Sequence, residues 1–260
     1  MSSETWQKRY GVCLRQLRCS EIESVKKYFK SETRILEIGG GSGYQASLMA
    51  SYGCVVSSID LENREKSKES HFPVQGYDGT HIPFEADSFD LVFSSNVLEH
   101  VQDLPDLMEE MRRVLKTDGM MIHILPSATW RFWTSFAHYI YVPIYLLKRR
   151  NCSEGSFESS VNHLKKRYSY FFLIKNALFA GPHGKYPNAL SELYYFSKYR
   201  WWHLFKKNHC EIVRFLQNGL FYTGYGLFPG LSLAIRKKLA CFLGASCHIF
   251  VMDFRSSRET

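Results

Sequence analysis

Cysteines at metal-binding or redox spacing are missing from this chain. Its seven cysteines, Cys13, Cys19, Cys54, Cys152, Cys210, Cys241 and Cys247, form no C-x-x-C pair and are odd in number. That speaks against a disulfide framework or a zinc site and fits a reducing cytoplasm. The first residues, MSSETWQKRYG, lack the basic-then-apolar layout of a secretory signal. Internal repeats and long low-complexity tracts are absent too, which excludes a repeat array. Acidic residues are scarce in the second half, where residues 126–260 hold 6 Asp and Glu against 19 Lys and Arg, net +13.

The first half is the opposite, with 14 Lys and Arg against 19 Asp and Glu over residues 1–125, net −5. The basic half also holds 29 of the 40 aromatic residues. Such a split suggests a second half that meets an anionic or amphipathic partner, or a solvated basic face over an aromatic core. A chain of 260 residues, 45% apolar, is long enough for one large α/β domain with an elaboration.

Residues 35–46 read ILEIGGGSGYQA: a β-type run stops near Glu37 and turns through Gly39, Gly41 and Gly43 into a helix. Bare backbone in such a turn lets a ligand approach closely. A dinucleotide fingerprint, G-x-G-x-x-G, needs a small third residue, but Tyr44 stands there and the third glycine falls one place earlier. The next apolar segment, CVVSSID, ends in Asp60, where a second parallel strand would set a carboxylate beside a ribose. VQGYDGTHIPFEADSFDLVFSSNVLEHV then places Asp78 after a short third strand and a fourth strand over 89–95. A helix with Leu107, Met111, Val114 and Leu115 at helical spacing follows, with a stop at Asp118-Gly119 and a fifth strand after it.

These segments resemble the class I S-adenosylmethionine-dependent methyltransferases, well over residues 33–127 and more loosely over the last fifty or so. The resemblance implies a doubly wound, mostly parallel, seven-stranded Rossmann-like sheet with helices on both faces. It assigns Glu37, Gly39, Gly41, Gly43, Asp60, Asp78, Ile82, Asn96 and Glu99 to S-adenosylmethionine, with Asp78 and Ile82 at the base. Asn96, Glu99 and His100 fall at the methionine end and acceptor side. The amino-methyltransferase signature of Asn or Asp, Pro, Pro and an aromatic is replaced by Ser94-Ser95-Asn96-Val97, which favours oxygen or carbon acceptors over base nitrogens.

The resemblance fails between residues 129 and 190, about sixty residues inserted after the fifth strand, far longer than an ordinary connection. This gives a layout of 1–127 as cofactor-binding core, 128–190 as an α-helical, aromatic insertion on the acceptor side, and 191–260 as completion of the sheet. Completion consists of a helix over 196–207, a strand from 211 to 216 or slightly beyond, and a last strand over 248–254. The insertion opens WRFWTSFAHYIYVPIYLLKRR, with Phe132, Trp133, Phe136, Tyr139, Ile140, Ile144 and Leu147 recurring on one helical face. His138 and Pro143 break it short of the ~20 consecutive apolar residues a spanning helix needs. A helix lying on an anionic membrane through Lys148, Arg149 and Arg150, and a lid over the cofactor, both fit. A mobile loop over 151–160 and a second basic, aromatic helix, HLKKRYSYFFLIKNALF, follow. GPHGKYP then holds His183 on an irregular turn, and a helix over 231–242 carries Arg236, Lys237 and Lys238 on its polar side.

His100 and His183 are the candidate bases, each also readable as structural, with Tyr186, Tyr194 and Tyr195 as further acceptor-side candidates. No metal is required. The acceptor class that uses both charge and aromatic surface is a small or amphipathic molecule, lipid- or sugar-like. Basic residues scattered among helices disfavour a nucleic acid. The expected location is the cytoplasm, with peripheral membrane contact as one version. Two other readings stay open: a non-catalytic cofactor-binding or partner-binding module, and a nicotinamide-dependent oxidoreductase, which Tyr44 opposes.

Overall fold

The computed structural model describes residues 3–62, 69–150, 181–224 and 229–254. Their backbone forms a seven-stranded sheet in the order β3-β2-β1-β4-β5-β7-β6. The strands are β1 (Arg34–Ile38), β2 (Val55–Leu61), β3 (Gln75–Tyr77), β4 (Phe89–Ser95), β5 (Leu115–Pro126), β6 (Glu211–Gln217) and β7 (Cys247–Asp253). Strands β3 to β5 pair in parallel, while β7 runs antiparallel to both β5 and β6. The sheet is therefore mostly parallel, and β7 is its single reversed strand.

Alternation along the strands sends side chains into two layers. On one face, Ile35, Leu91, Phe93, Ile122 and Ile124 meet Ile22 and Val25 of α1 (Ser3–Val25) and Met49 of α2 (Tyr44–Ser51). On the other, Leu36, Val92, Met121 and Phe250 meet Leu107, Met111 and Val114 of α3 (Leu104–Val114). After α4 (Ala128–Arg150) and α5 (Ala189–Tyr195) come α6 (Lys198–Lys207) and α7 (Leu233–Leu243). Trp201 and Phe205 of α6 join the second layer.

Several sequence expectations need correction. The helix after β4 ends at Val114, and Leu115 already belongs to β5. The stop anticipated at Asp118-Gly119 is instead an irregularity within the strand: Phe89 pairs with Leu115, but Leu91 pairs with Met120. Turn-forming residues have produced a bulge rather than a break. The helix expected around 196–207 is present as Lys198–Lys207, starting two residues later because Ser197 caps it by accepting from Arg200 N at 3.3 Å. Arg236 is buried, not on the polar side of α7; its guanidinium donates to Leu231 O and Phe221 O, both at 3.2 Å, and to Cys13 Sγ at 3.3 Å.

Of the two placements left open for the aromatic face of α4, the fold shows it turned outward. Its inward side holds Trp130, Arg131, Thr134, Ala137 and His138, all buried, whereas Phe132, Phe136, Tyr139 and Ile140 are exposed. Trp133 does not share that exposed face; its indole N–H donates to Leu243 O at 3.0 Å. The aromatic periodicity thus marks a solvent-facing stripe, and the polar residues between supply the packing. Ile144, Leu147 and the Lys148-Arg149-Arg150 side chains lie outside the described residues, as do the loop at 151–160 and the second basic helix. Among the described residues, no helix is long and apolar enough to cross a membrane.

Candidate functional site

In an open parallel sheet, a crevice forms where neighbouring connections leave to opposite faces. Here that point lies between β1 and β4, since β1 leads into α2 and β4 leads into α3. Ligands of doubly wound folds bind outside the carboxyl ends of such strands.

The glycine loop crosses this point with no room for side chains. Gly43, the N-cap of α2, has φ 74°, and a Cβ there would lie 2.6 Å from the Phe72 carbonyl oxygen. A backbone neighbour cannot swing aside, and that φ disfavours any L side chain. At Gly40 a Cβ would meet Ser58 Oγ at 1.9 Å, and at Gly39 it would meet Val97 Cγ2 at 2.2 Å. Loops following β1, β2 and β4 therefore converge on one another through bare backbone.

Acidic groups stand at the ends of the first three strands. Asp60 Oδ2 accepts from Gly41 N at 2.9 Å and its Oδ1 from Leu61 N at 2.9 Å, so the carboxylate is aimed at the loop. Glu37 is buried beneath the loop and accepts from Ser58 Oγ at 2.6 Å. Burial pushes its carboxyl up to about 7, with the Ser58 hydroxyl opposing and the Asp60 charge adding to the rise. Asp78 Oδ1 accepts from Thr80 N at 2.8 Å and His81 N at 2.9 Å, and these bonds hold it below the usual carboxylate range. The Ile82 side chain is wholly enclosed in the core, and its N–H donates to Glu110 Oε2 at 2.8 Å.

Asn96 follows β4 at φ 56° and donates from its backbone N to Ile124 O at 2.8 Å. Its side-chain amide donates to Ser95 Oγ at 3.1 Å, which also accepts from Arg18 Nη1 at 3.0 Å. Arg18 in turn pairs with the buried Glu21 at 2.8 Å, and Glu21 Oε1 accepts from Tyr222 OH at 2.7 Å. Helix α1 is thereby tied to the carboxyl end of β4. Nothing in the sequence reading anticipated Arg18 or Glu21. The signal was a charged residue at the helical spacing of Cys13, Leu17 and Val25, which become buried.

Beyond the carboxyl end of β4, Glu99, His100 and His183 come together. Glu99 Oε1 lies 3.7 Å from His100 Nε2 and 3.9 Å from His183 Nε2. The imidazole centroids are 5.0 Å apart, and the Trp130 ring packs 4.7 Å from that of His183. Burial lowers His100, and burial followed by His100, Arg131 and Arg18 takes His183 down to about 4. Both rings are therefore neutral at neutral pH and keep a lone pair. Glu99 is fully buried, which lifts its carboxyl to about 8 against its own backbone N–H and Arg18.

The turn bearing His183 is held from below. Glu192 Oε1 accepts from His183 N at 2.7 Å and Gly184 N at 2.6 Å, while its Oε2 pairs with Arg131 Nε at 3.0 Å. Arg131 Nη2 also donates to Gly181 O at 2.7 Å. Neither Arg131 nor Glu192 was singled out from sequence; the clue was a charge placed within each of two aromatic helices. Tyr186 stacks on Tyr195 with centroids 3.9 Å apart, while Tyr194 is exposed beside them.

Residues 36–123 match the family model described as "Methyltransferase domain". The biotin biosynthesis bifunctional protein of Cellvibrio japonicus is 32% identical over 121 residues, 42% of this chain and 24% of that protein. The glycine/sarcosine/dimethylglycine N-methyltransferase of Actinopolyspora halophila is 32% identical over 109 residues, 38% of this chain and 19% of its own length. The chain thus spans about a quarter or less of these two curated relatives. A crystal structure from Thermotoga maritima, titled a SAM-dependent methyltransferase and possible histamine N-methyltransferase, superposes with TM-score 0.51. It covers 95% of this chain and 94% of its own at 15% identity, a likeness of fold.

Proposed function

We propose that this protein, whose residues 36–123 match the methyltransferase-domain model, is a class I S-adenosylmethionine-dependent methyltransferase that moves a methyl group from S-adenosylmethionine to an oxygen or carbon atom of a small amphipathic acceptor, lipid- or sugar-like. The observation that carries the reading is the Asp60 carboxylate oriented by Gly41 N at 2.9 Å, beside a loop whose glycines leave no space for side chains. That combination suits a nucleoside: a carboxylate for the ribose hydroxyls and bare backbone for close approach.

S-adenosylmethionine, when bound, supplies an electrophilic sulfonium methyl for an in-line displacement. In our assignment Gly39, Gly41 and Gly43 line its approach, with Glu37 bracing the loop from beneath. Asp60 takes the ribose, Asp78 the adenine amino group with Ile82 behind the ring, and Asn96 the methionine end. Glu99 lies where cofactor and acceptor sides join. Neutral His100 and His183 are positioned to accept a hydroxyl proton as the methyl departs. Alignment of methyl and acceptor within the crevice supplies the remaining acceleration.

The acceptor reading draws on charge and on α4. The exposed Phe132, Phe136, Tyr139 and Ile140 form one stripe on a half of the chain with net charge +13. Such a face suits amphipathic acceptors and peripheral contact with anionic headgroups. The direct test is to incubate the purified chain with cell extract and isotopically labelled S-adenosylmethionine. A lipid- or sugar-like metabolite should gain one labelled methyl on oxygen or carbon. Label found only on nitrogen, or cofactor bound and never consumed, would overturn the acceptor class or the enzyme reading respectively.

A further inference from the structure

The juxtaposition of Glu99, His100 and His183 has more content than two candidate bases. We propose that these three side chains form a site for one divalent transition-metal ion of the zinc class. One ligand atom from each lies within 4.8 Å of the others. Ligands of a tetrahedral zinc-type ion stand about 3.4 Å apart, given metal–ligand bonds of about 2.1 Å. The observed 3.7 and 3.9 Å between Glu99 Oε1 and the two imidazole nitrogens are too long for hydrogen bonds and within a few tenths of an ångström of that spacing.

A second observation points to the same ligand. Glu99 is 0% exposed, yet neither of its carboxylate oxygens has a hydrogen-bond partner on another described residue. A buried carboxyl in that state carries a desolvation penalty that its own backbone N–H and Arg18 only partly offset. A cation held between Glu99 Oε1 and the two Nε2 atoms would remove it. Two imidazoles and one carboxylate select zinc, iron, cobalt or nickel over magnesium and calcium, which prefer all-oxygen shells.

The surroundings fix the ligands before any ion arrives. Lys185 N donates to Glu99 O at 3.0 Å, and a Cβ at Gly184 would lie 2.6 Å from that same oxygen. The turn carrying His183 therefore lies directly on the Glu99 backbone, and Glu192 holds it there through two backbone N–H groups. Outer partners of this kind set ligand orientation in metal sites. Three protein ligands leave a position for water or for an acceptor hydroxyl. That last assignment rests on the methyltransferase reading: a coordinated hydroxyl is more acidic and releases its proton to water, so the ion would replace a base.

The test uses the full-length, tag-free chain stripped with a chelator and titrated with cobalt(II) chloride. One equivalent should bind with the ligand-field absorption of a low-coordinate site, without the thiolate charge-transfer band that cysteine ligation gives. His183→Ala and His100→Ala should each weaken binding by about tenfold or more. Thermal unfolding of each variant checks that the fold survives, and Glu99→Gln, which keeps shape but loses charge, serves if the alanine variants do not. No stoichiometric cobalt, cobalt on thiolates, or equal binding by folded variants would overturn the site. Calorimetric titration of S-adenosylmethionine into the same stripped protein separates the two claims: heat with that ligand and none with cobalt sinks the ion alone.

Discussion

Arg131 of α4 and Glu192 of α5 meet as a buried ion pair, Nε to Oε2 3.0 Å, with side chains 2% and 0% exposed. Between them they occupy Gly181 O, His183 N and Gly184 N, so one pair holds the backbone on which His183 sits. Removing one partner leaves the other charged and buried. Glu192→Ala is therefore expected to cost about 3–5 kcal/mol, measured by urea unfolding; a loss near zero would mean the turn is held by something else.

Asp60→Ala should weaken S-adenosylmethionine binding by about 1–3 kcal/mol, through lost ribose hydrogen bonds and a freed Gly41 N–H. Calorimetry on the folded variant reads this directly. Unchanged affinity would take Asp60 out of the cofactor site.

Gly43→Ala forces a side chain into φ 74° and against the Phe72 backbone at 2.6 Å. The expected loss is about 1–3 kcal/mol of stability, with weaker cofactor binding as the loop over residues 70–74 is displaced. A variant as stable as the parent would show that the two loops do not abut.

Two buried groups set opposite pH trends. Glu37 has its ordinary value of 4.5 raised to about 7 by burial, so the folded chain holds that proton more tightly than the unfolded one. Its stabilisation is full below 4.5 and is lost as pH rises through about 7. His123, stacked on Phe205 and bonded through Nδ1 to Ser94 Oγ at 2.8 Å, is lowered by burial from 6.5 to about 3. Its contribution is full above 6.5 and disappears as pH falls toward 3. Thermal melts of Glu37→Gln should show a smaller decline on the alkaline side, the remainder coming from Glu99, which burial lifts to about 8, and should keep the decline on the acid side. Identical profiles for parent and variant would contradict the assignment.

Phe132, Phe136 and Tyr139 replaced together by Ser should abolish sedimentation with anionic vesicles, because they form the exposed stripe of α4. Neutral vesicles serve as control. A parent chain that never sediments removes the membrane from the account and leaves a soluble amphipathic acceptor.

The positions of the strands along the chain and the glycine turn at the crevice were legible because glycine turns, terminal acids and apolar runs are local signals. Asp60 and Asn96 stand at strand ends that the pattern of residues 35–96 marks by itself. What sequence could not reveal depends on distant partners. Arg131 and Glu192 are 61 positions apart, and each reads as a surface charge until the fold pairs them. Sequence alone leaves helix α4 open between two readings for the same reason: apolar periodicity identifies a stripe but not which side faces the protein, and here Arg131, Thr134 and His138 are enclosed. His183 was found through its rigid Gly- and Pro-rich turn, whereas its approach to Glu99 and His100 needed the fold.

Titrating the purified chain with S-adenosylmethionine and, separately, with a nicotinamide dinucleotide in a calorimeter tests the central claim most directly. One saturable site for the sulfonium nucleoside, weakened in Asp60→Ala, and little or no heat from the dinucleotide is the expected result. Tighter binding of the dinucleotide, or no binding of S-adenosylmethionine by a folded chain, would contradict it.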